Sequence, residues 1–267
     1  MRGTGDTQPL AGIGVLVTRP EHQAQRLAEL IRSLGGEPLL FPAMEIVALP
    51  DEATTTALKR LAQFDLAIFT SPNAARMAMR CIGQAGGLPA RLRIAALGPG
   101  TAAELKKSGV REMITPEANF DSEALLDALS GLQFAGKRVV IFRGQGGREW
   151  LGESLRQRGA VLEYVECYRR ARPGHDLAEL MPLWQQGRLR ACLATSSEIV
   201  DNLFDMAGEA CQPWLCQTPM FVSHPRVAAT AFALGVHTVF VAGMGDEALA
   251  SALETWFARL RREQPVS

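Results

Sequence analysis

One local pattern recurs seven times along this chain: a short apolar segment, a turn of hydroxyl residues, glycine or proline, and an amphipathic stretch. Each repeat predicts a buried β-strand, a turn and a capped α-helix. The predicted strands are residues 14–17, 66–69, 93–97, 139–142, 191–194, 220–222 and 239–241. Strands that alternate with helices form parallel sheets, and right-handed connections bring all the turns to the carboxyl edge of the sheet.

The number of strands divides the chain into two domains. So many strands exceed one small compact sheet and suit two flavodoxin-like (Rossmann-like) α/β halves with parallel sheets. Two extended segments, residues 37–47 and 160–170, run longer than a normal strand. They predict a two-stranded linker, at which the chain leaves one domain, builds the other and returns. We therefore predict a discontinuous first domain, residues 1–47 and 171–267, and an inserted second domain, residues 48–166, in place of a tandem division.

Charge and composition exclude several functions. The chain has 267 residues, is 47% apolar and carries 28 basic and 28 acidic residues. This balance gives no attraction for nucleic acid or for an anionic membrane surface. No segment approaches the ~20 apolar residues of a membrane span, and the first 12 residues lack the apolar core of a signal peptide. We therefore predict a cytoplasmic protein with no membrane or nucleic-acid partner.

The cysteines and histidines do not form a metal-binding pattern. The five cysteines include no Cys-x-x-Cys pair, and the four histidines are scattered without His-Glu-x-x-His spacing. An odd number of such cysteines predicts reduced, buried thiols instead of a disulfide framework. The sequence therefore predicts no metal site.

The predicted turns are candidate anion-binding sites. Helix N-termini expose free N–H groups, and the helix dipole favours negative charge there. Hydroxyl residues stand at four of the turns, at Thr18, Ser71, Ser196 and Ser223, and Thr18 with Glu21 matches a capping box. Each hydroxyl taken alone is explained as a helix cap. The set together favours a rim that binds an anion.

A nucleotide cofactor is a weaker interpretation of the same turns. Three of them, beginning at Gly98, Gly144 and Gly243, loosely match the G-x-G-x-x-A/G spacing of dinucleotide-binding proteins. Pro99 cannot donate an N–H within the first, and none of the three opens the first strand–helix unit of the chain. The G-x-x-x-x-G-K-[ST] phosphate loop is absent from the sequence. The sequence therefore disfavours a nicotinamide or flavin cofactor.

Tyr168 is the candidate acid. It lies on the segment 160–170 that we predict to join the domains, from which its phenol could donate a hydrogen bond or a proton. The alternative is a partly buried tyrosine that only packs. Glu163 and Glu166 are three apart in an extended segment and point to opposite faces, so they do not form a catalytic carboxylate pair. The residues themselves leave both roles of Tyr168 open.

The order of several motifs resembles the uroporphyrinogen-III synthase family. The motifs are VLVTRP at residues 15–20, IFTSPNA at 68–74, ALGPGTA at 96–102, DSEAL at 121–125 and TSS at 195–197, together with Tyr168. The resemblance covers nearly the whole chain, about residues 14–256. It implies two α/β domains joined by a two-stranded ladder, with one domain inserted into the other.

This resemblance also implies a lyase reaction of tetrapyrrole (haem) biosynthesis without cofactor or metal. Linear hydroxymethylbilane, which carries many carboxylates, loses water while ring D is inverted through a spiro intermediate and the macrocycle closes. Because this substrate cyclises unaided to the uninverted isomer, holding it in the inverting conformation matters at least as much as lowering the barrier. The resemblance further implies a monomer, with hydroxymethylbilane synthase as a transient partner.

Carried over by position, the site of the family falls on residues at the predicted turns. Tyr168 matches the tyrosine thought to assist departure of the hydroxyl group. The other matches are expected to bind substrate carboxylates, mostly through backbone N–H groups: Thr18, Arg19, Thr70, Ser71, Gly98, Arg143, Gly144, Thr195, Ser196, Ser223 and Gly243. Pro99, and Ser197 followed by Glu198, depart from the commoner small or aliphatic residues of these loops.

Two other classes of protein stand as alternatives. A two-lobed cytoplasmic binding or regulatory protein would close around a small anion without catalysis, but no output module is visible in the sequence. A cofactor-dependent α/β enzyme would require one of the partial glycine matches to bind a nucleotide.

Overall fold

The structure, a computed structural model, describes residues 8–49 and 52–263. In chain order the strands are β1 (Gly14–Val17), β2 (Glu37–Leu40), β3 (Glu45–Ala48), β4 (Leu66–Phe69), β5 (Arg93–Ala96), β6 (Arg138–Gly144), β7 (Val161–Ala171), β8 (Leu189–Ala194), β9 (Met220–Val222) and β10 (Val239–Val241). The helices are α1 (Glu21–Ser33), α2 (Glu52–Lys59), α3 (Pro72–Gln84), α4 (Pro99–Lys107), α5 (Ser122–Ala128), α6 (Trp150–Gln157), α7 (Met181–Gln185), α8 (Ser197–Gln217), α9 (Pro225–Ala233) and α10 (Asp246–Glu263).

The chain divides into two compact units. The first unit is formed by Met1–Glu45 and Ala171–Ser267, and the second by Ile46–Arg170. The first contains a five-stranded sheet in the order β10-β9-β8-β1-β2, and the second a five-stranded sheet in the order β3-β7-β6-β4-β5. The predicted α/β class with two parallel-dominated sheets is confirmed.

The first unit has the strand order of flavodoxin-like folds. Its strand pairs are all parallel, and numbered within the unit they follow the order 2-1-3-4-5. The core packs the sheet residues Val15 and Phe221 against Leu27 and Ile31 of α1 and Phe257 of α10. The amphipathic stripe predicted for α1 is therefore the face that this helix buries.

The sheet of the second unit is covered on both faces. β4 pairs in parallel with β5 and β6, and β6 pairs in parallel with β7. Val140 and Phe142 of β6 belong to one hydrophobic cluster, whereas Val139 and Ile141 belong to another. A parallel strand buried on both sides reads as a continuous apolar run, which is why residues 139–142 show no polar alternation.

One predicted linker strand is wrong. Residues 37–47, predicted as one extended strand, form β2 in the first sheet and β3 in the second, with residues 41–44 between them. Pro42 lies in this gap and has no N–H to donate, but Phe41 and Ala43 on either side of it still donate to the carbonyl oxygens of Val17 and Thr18, at 3.0 and 2.8 Å. Residues 161–171, in contrast, form the single 11-residue strand β7, and β3 lies beside it at the edge of the second sheet.

Thr18 was predicted to cap α1, and this prediction is wrong. The cap position of α1 is Pro20, which makes no side-chain capping bond. Thr18 is fully buried, and its Oγ1 donates to the carbonyl oxygen of Leu193 at 2.6 Å. The hydroxyl therefore links the end of β1 to β8, and Pro20 lies at the cap position instead.

The predicted cap at Ser223 is also wrong. The cap of α9 is His224, whose ring nitrogen accepts the N–H of Arg226 at 3.1 Å. Ser223 Oγ instead donates to the carbonyl oxygen of Thr195 at 3.0 Å. As with Thr18, a carbonyl on a neighbouring turn takes the hydroxyl that the local pattern assigned to the helix.

Helix and strand boundaries differ from the predictions at three further places. The sequence predicts a helix over residues 199–207, and the backbone does become non-helical at the next residue, Gly208, where φ is 55°; the difference is a second helical segment, not predicted, that continues α8 to Gln217. The sequence of residues 110–115 predicts a short strand, whereas the structure has an isolated bridge between Ile114 and Ala95. The sequence of residues 51–64 predicts one helix, whereas the structure has α2 followed by a short 3-10 helix at Leu61–Gln63; residue 51 lies outside the described residues.

The part of the chain that the structure describes contains neither a membrane-spanning helix nor a cluster of metal ligands. No helix within residues 8–49 and 52–263 is long and apolar enough to cross a membrane. In the same part of the chain, no three His, Cys, Asp or Glu side chains are grouped as ligands of a metal ion.

Candidate active site

Each sheet has a place where the strand order reverses direction. The reversal lies between β1 and β8 in the first unit and between β4 and β6 in the second. Open α/β sheets bind ligands at such switch points, outside the carboxyl ends of the strands. The predicted site residues at the ends of these four strands are Thr18, Arg19, Thr195, Ser196, Thr70, Ser71, Arg143 and Gly144. Topology therefore gathers much of the predicted site at two switch points, one in each unit.

Tyr168 is buried beside the switch point of the second unit. It is 4% exposed, and its phenol oxygen lies 3.1 Å from Ser71 Oγ. Ser71 Oγ also accepts the N–H of Ala74 at 3.1 Å, which confirms the predicted cap of α3. Because the cap uses Ser71 Oγ as an acceptor, the hydroxyl proton of Ser71 is available to the phenol oxygen. In that arrangement the phenol proton of Tyr168 is free for a ligand.

A β-bulge in β7 turns Tyr168 toward α3. Arg143 of β6 pairs with Glu166, but the next residue, Gly144, pairs with Tyr168, so β7 carries one extra residue at Cys167. Along a regular strand, successive side chains point to opposite faces. Here Cys167 and Tyr168 both belong to the same hydrophobic cluster. The bulge therefore re-aims the tyrosine, as bulges next to functional sites commonly do.

Gly144 leaves space for the ring of Tyr168. A Cβ atom at Gly144 would lie 2.6 Å from Cζ and 2.8 Å from the phenol oxygen of that ring. Both distances are far inside van der Waals contact, so any other residue would displace the ring or the strand. The following residue, Gln145, donates its N–H to the carbonyl oxygen of Tyr168 at 2.8 Å. Gly144 is therefore packed tightly against the Tyr168 ring. It also lies at a turn that is predicted to bind a carboxylate.

The guanidinium of Arg143 is enclosed within the second unit. Arg143 is 8% exposed, and it donates from Nη1 to the carbonyl oxygen of Gly147 and from Nη2 to Glu166, both at 3.1 Å. Its guanidinium carbon lies 3.9 Å from the centre of the Tyr164 ring. Nε is buried and has no hydrogen-bond partner among the described residues. The charge predicted to meet a substrate carboxylate is therefore already neutralised by Glu166.

Burial changes the acidity of two side chains near Tyr168. It raises the pKa of Tyr164, against the opposing effect of the positive charges of Arg143 and Arg156. It also raises the pKa of the Cys167 thiol to about 12. Since a thiol attacks as its thiolate, Cys167 is not suited to be a nucleophile at neutral pH.

Thr70 and Gly98 also stand at the carboxyl edge of the second sheet. The N–H and the hydroxyl of Thr70 both donate to the carbonyl oxygen of Phe142, at 3.1 and 3.3 Å. Gly98 is the cap residue of α4 and is followed by Pro99 at the first helical position. A Cβ at Gly98 would lie 3.0 Å from Cβ of Phe120. Thr70 therefore ties β4 to β6, and Gly98 allows Phe120 to approach the start of α4.

In the first unit, Arg19 forms an ion pair with Asp246 at the start of α10. Its Nη1 lies 2.5 Å from Oδ1 of Asp246, and the two side chains are 13% and 18% exposed. The same Nη1 lies 3.4 Å from the carbonyl oxygen of Gln23. This ion pair connects the turn after β1 to the N-terminus of α10, where the helix dipole also favours the carboxylate.

Hydroxyl groups organise the turns after β8 and β9. Ser196 Oγ accepts the N–H of Ile199 at 3.2 Å, which confirms the predicted cap of α8. Ser223 Oγ, as described above, bonds to the turn at Thr195. Gly243 has a φ of 98°, a backbone conformation that side chains disfavour, and it lies just before α10. The N-termini of α8, α9 and α10 therefore lie at this edge of the first sheet.

Three cavities formed by the described residues lie away from these turns. A cavity of about 510 Å³ at the amino edge of the second sheet is lined by residues that include Asp65, Arg93 and Lys137. One of about 550 Å³ lies between α3 and the end of α4. One of about 260 Å³ lies at the amino edge of the first sheet. The predicted site consists instead of turns and helix N-termini.

Sequence reasoning missed the partners that hold the site residues in place. Glu166 binds Arg143 from 23 positions away, and Asp246 binds Arg19 from 227 positions away. The local spacing of residues carries no signal for such pairs. The glycines after β6 marked the turn, but the bulge opposite them has no signature in the sequence.

The fold and the site define a class of protein: a doubly wound α/β protein of two units, with helix N-termini at both switch points and a buried tyrosine at one. The family model described as uroporphyrinogen-III synthase HemD matches residues 25–249. The chain is 32% identical over 246 residues to uroporphyrinogen-III synthase of Salmonella typhimurium (strain LT2), which covers 91% of this chain and 100% of that protein. The chain belongs to the uroporphyrinogen-III synthase family.

Other similar proteins carry the same name. Uroporphyrinogen-III synthase of Escherichia coli (strain K12) is 32% identical over 248 residues, which are 91% of this chain and 100% of that protein. The crystal structure of a mutant uroporphyrinogen III synthase from the extremely thermophilic bacterium Thermus thermophilus aligns with a TM-score of 0.60 at 22% identity, over 94% of this chain and 100% of that one. Uroporphyrinogen-III synthetase from Helicobacter pylori 26695 aligns with a TM-score of 0.58 at 16% identity, over 91% and 99%. At these identities the two structures support the fold.

Proposed function

We propose that this protein is a uroporphyrinogen-III synthase, a lyase that cyclises hydroxymethylbilane with inversion of ring D and loss of water in tetrapyrrole (haem) biosynthesis. Family membership over most of the chain supports this activity. The observation that carries the proposal is the buried phenol of Tyr168, 3.1 Å from the hydroxyl of the α3 cap. The position of this phenol beside backbone N–H groups at a switch point supports its role as the proton donor.

Tyr168 assists departure of the hydroxyl group. The carbon–oxygen bond of the ring A carbinol breaks, and its oxygen must take up a proton to leave as water. Ser71 supports this transfer, since its cap bond from Ala74 leaves its own proton free for the phenol oxygen. The phenol then donates its proton toward the leaving oxygen, a role for which a positioned acid contributes about 10²-fold or more.

Helix N-termini bind the carboxylates. The first-turn N–H groups of α3 and α4 in the second unit, and of α8, α9 and α10 in the first, are unpaired within their helices and favour anions. The residues at these turns that we assign to substrate binding are Arg19, Thr70, Ser71, Gly98, Gly144, Thr195, Ser196, Ser223 and Gly243. Thr18 acts through its backbone, because its hydroxyl is held by Leu193. These groups require no metal or cofactor.

The main task of the protein is to control conformation. Hydroxymethylbilane closes unaided to the uninverted isomer, so a catalyst that merely removed water would not change the product. When its carboxylates are fixed at several helix N-termini, the linear substrate is held in one geometry. Ring closure then becomes an oriented, intramolecular step. This account explains why one phenol accompanies many backbone donors.

The decisive experiment is an isomer assay. The purified protein is supplied with freshly generated hydroxymethylbilane, the products are oxidised to porphyrins, and the isomers are separated by chromatography. We expect the type III isomer to predominate, whereas a reaction without protein should give type I. Type I alone in the presence of folded protein would contradict the proposal, and tight substrate binding without turnover would favour the anion-binding alternative.

We infer further that the protein works as a cytoplasmic monomer, with hydroxymethylbilane synthase as a transient partner. The equal numbers of basic and acidic residues, 28 of each, support a protein that is not held at an anionic membrane surface. The unaided cyclisation of the substrate supports direct supply by the preceding enzyme. Light scattering of the purified protein tests the monomer, and the type III fraction measured with and without hydroxymethylbilane synthase in the same vessel tests the contact.

A further inference from the structure

We infer that Arg143 is a positioning residue for Tyr168 and does not itself bind a substrate carboxylate. The inference rests on the proposed function, because the position of Tyr168 is tested through the rate of the isomer-forming reaction. The resemblance to the family implies that Arg143 binds the substrate. The geometry assigns its guanidinium instead to contacts within the protein.

The guanidinium of Arg143 has fixed partners on three sides. Glu166 neutralises it at 3.1 Å, the carbonyl oxygen of Gly147 accepts a second hydrogen bond at 3.1 Å, and the Tyr164 ring lies 3.9 Å below its central carbon. Glu149 adds a more distant carboxylate oxygen at 3.6 Å. An arginine that is 8% exposed and faces two carboxylates has little attraction left for a third.

The bonds from Arg143 to Gly147 and Glu166 hold the turn that contacts Tyr168. The bond to Gly147 spans the turn that follows β6, and the bond to Glu166 joins β6 to β7 at the residue before the bulge. Between these two anchors lies Gly144, whose backbone contacts the Tyr168 ring so closely that a Cβ would lie 2.6 Å from it. A shift of this turn therefore moves the phenol.

The ring of Tyr164 also helps to hold Arg143 in place. A Cβ at Gly152 of α6 would overlap the Tyr164 hydroxyl, so the helix packs directly against the ring. The ring then supports the guanidinium from below, an arrangement in which arginine and lysine are not equivalent. Tyr164 and Tyr168 thus lie on one strand, with different tasks.

The test is a double-mutant cycle on the isomer-forming reaction. Arg143→Lys keeps the charge but loses the planar fork and the stacking, and Tyr164→Leu removes the ring. We expect each to lower kcat by about 10-fold with KM changed less than about two-fold, because a misplaced acid slows the reaction without weakening carboxylate binding. The double variant should be no slower than either single variant, since both remove one support. Tyr164→Phe, which keeps the ring, should restore the wild-type rate.

Arg156→Lys is the matched control. Arg156 lies 5.5 Å from the same ring but is exposed, and its exchange should leave kcat and KM unchanged. Hydrogen exchange gives a readout that does not depend on activity: the Gln145 amide, which donates to the Tyr168 carbonyl, should exchange faster in Arg143→Lys than in wild type.

The outcomes separate this inference from the proposed function. A wild-type protein that makes no type III isomer contradicts the function, and the exchange experiment still tests the positioning. With an active wild type, a raised KM and unchanged kcat in Arg143→Lys, with a normal Tyr164→Leu, would overturn the inference and make Arg143 a carboxylate ligand. Independent, multiplying losses in the double variant would also overturn it.

Discussion

The carboxyl edges of the two sheets are built on similar strand orders but carry different chemistry. The first unit offers helix N-termini, bonded hydroxyls and an ion pair between Arg19 and Asp246. The second unit offers helix N-termini as well, but adds a buried phenol at its switch point. Both tyrosines of the chain, Tyr164 and Tyr168, belong to the second unit. One common architecture thus presents helix N-termini in both units and a buried phenol in one, and the proposed anion binding and proton donation rest on this difference.

The difference has a structural cause in β7. The first sheet has a register shift between residues 14 and 15, at the start of β1 and away from its carboxyl end. The second has its shift between Arg143 and Gly144, at the carboxyl end where ligands bind. A bulge at that position can aim a side chain at a ligand, whereas one at the amino end cannot. The placement of one extra residue therefore distinguishes the two edges.

Removal of the phenol is expected to give the largest effect. Tyr168→Phe keeps the ring and its packing but removes the proton donor, so kcat should fall by about 10²-fold. The lost bond to Ser71 should cost only about 1 kcal/mol of stability. Rates from the isomer assay and a thermal melt check both statements. An unchanged kcat would remove Tyr168 from the mechanism and erase the difference between the two edges.

Crowding the same ring should have the next largest effect. In Gly144→Ala the new Cβ would overlap the Tyr168 ring, so we expect kcat to fall by about 10-fold and stability to fall by about 1–3 kcal/mol. Gly83→Ala in α3 is the control, because a Cβ there meets nothing within 4 Å. Kinetics and chemical denaturation of both variants provide the measurement. A Gly144→Ala protein as active as the control would show that the tight contact does not position the ring.

The fold was largely predictable from the sequence because its main signal is local. Apolar strands followed by capped helices determine a parallel sheet, and the cap predicted at Ser71 is confirmed. Predictions failed where a distant group competed with the local pattern. Thr18 and Ser223 bond to the carbonyls of Leu193 and Thr195 instead of capping helices, and no spacing rule reveals such partners.

The sequence predicted where the turns of the candidate site lie, but not how their side chains are held. The turns at the ends of the strands located the switch points, since topology brings these turns to one edge of each sheet. The bulge at Cys167 and the neutralisation of Arg143 by Glu166 could not be predicted, because both depend on the register between β6 and β7. Register follows from packing across the sheet, which the linear sequence does not display.

Two matched serines test the comparison directly. Ser71 and Ser196 each cap a helix at a switch point, so Ser71→Ala and Ser196→Ala should each lose about 1 kcal/mol of stability. Ser71 also contacts the phenol, and we therefore expect Ser71→Ala alone to lower kcat, by about 5-fold. Ser196→Ala should keep kcat within about two-fold, because the loss of its cap loosens only an anion-binding turn. Denaturation curves and steady-state kinetics decide the matter. Equal kinetic losses in both variants would indicate that the edges share one role.

The smallest catalytic effect is expected at Thr18. Its hydroxyl is buried and bonded to Leu193 at 2.6 Å, and Thr18→Val keeps the shape of the side chain while removing that donor. We expect a stability loss of about 1–2 kcal/mol, because a buried carbonyl loses a hydrogen bond. KM and kcat should change less than about two-fold, since the backbone N–H groups of the turn are unaffected. The reverse result, full stability with a KM raised about 10-fold, would mean that the hydroxyl leaves Leu193 to contact the substrate, and the first unit would then bind through side chains as well as backbone.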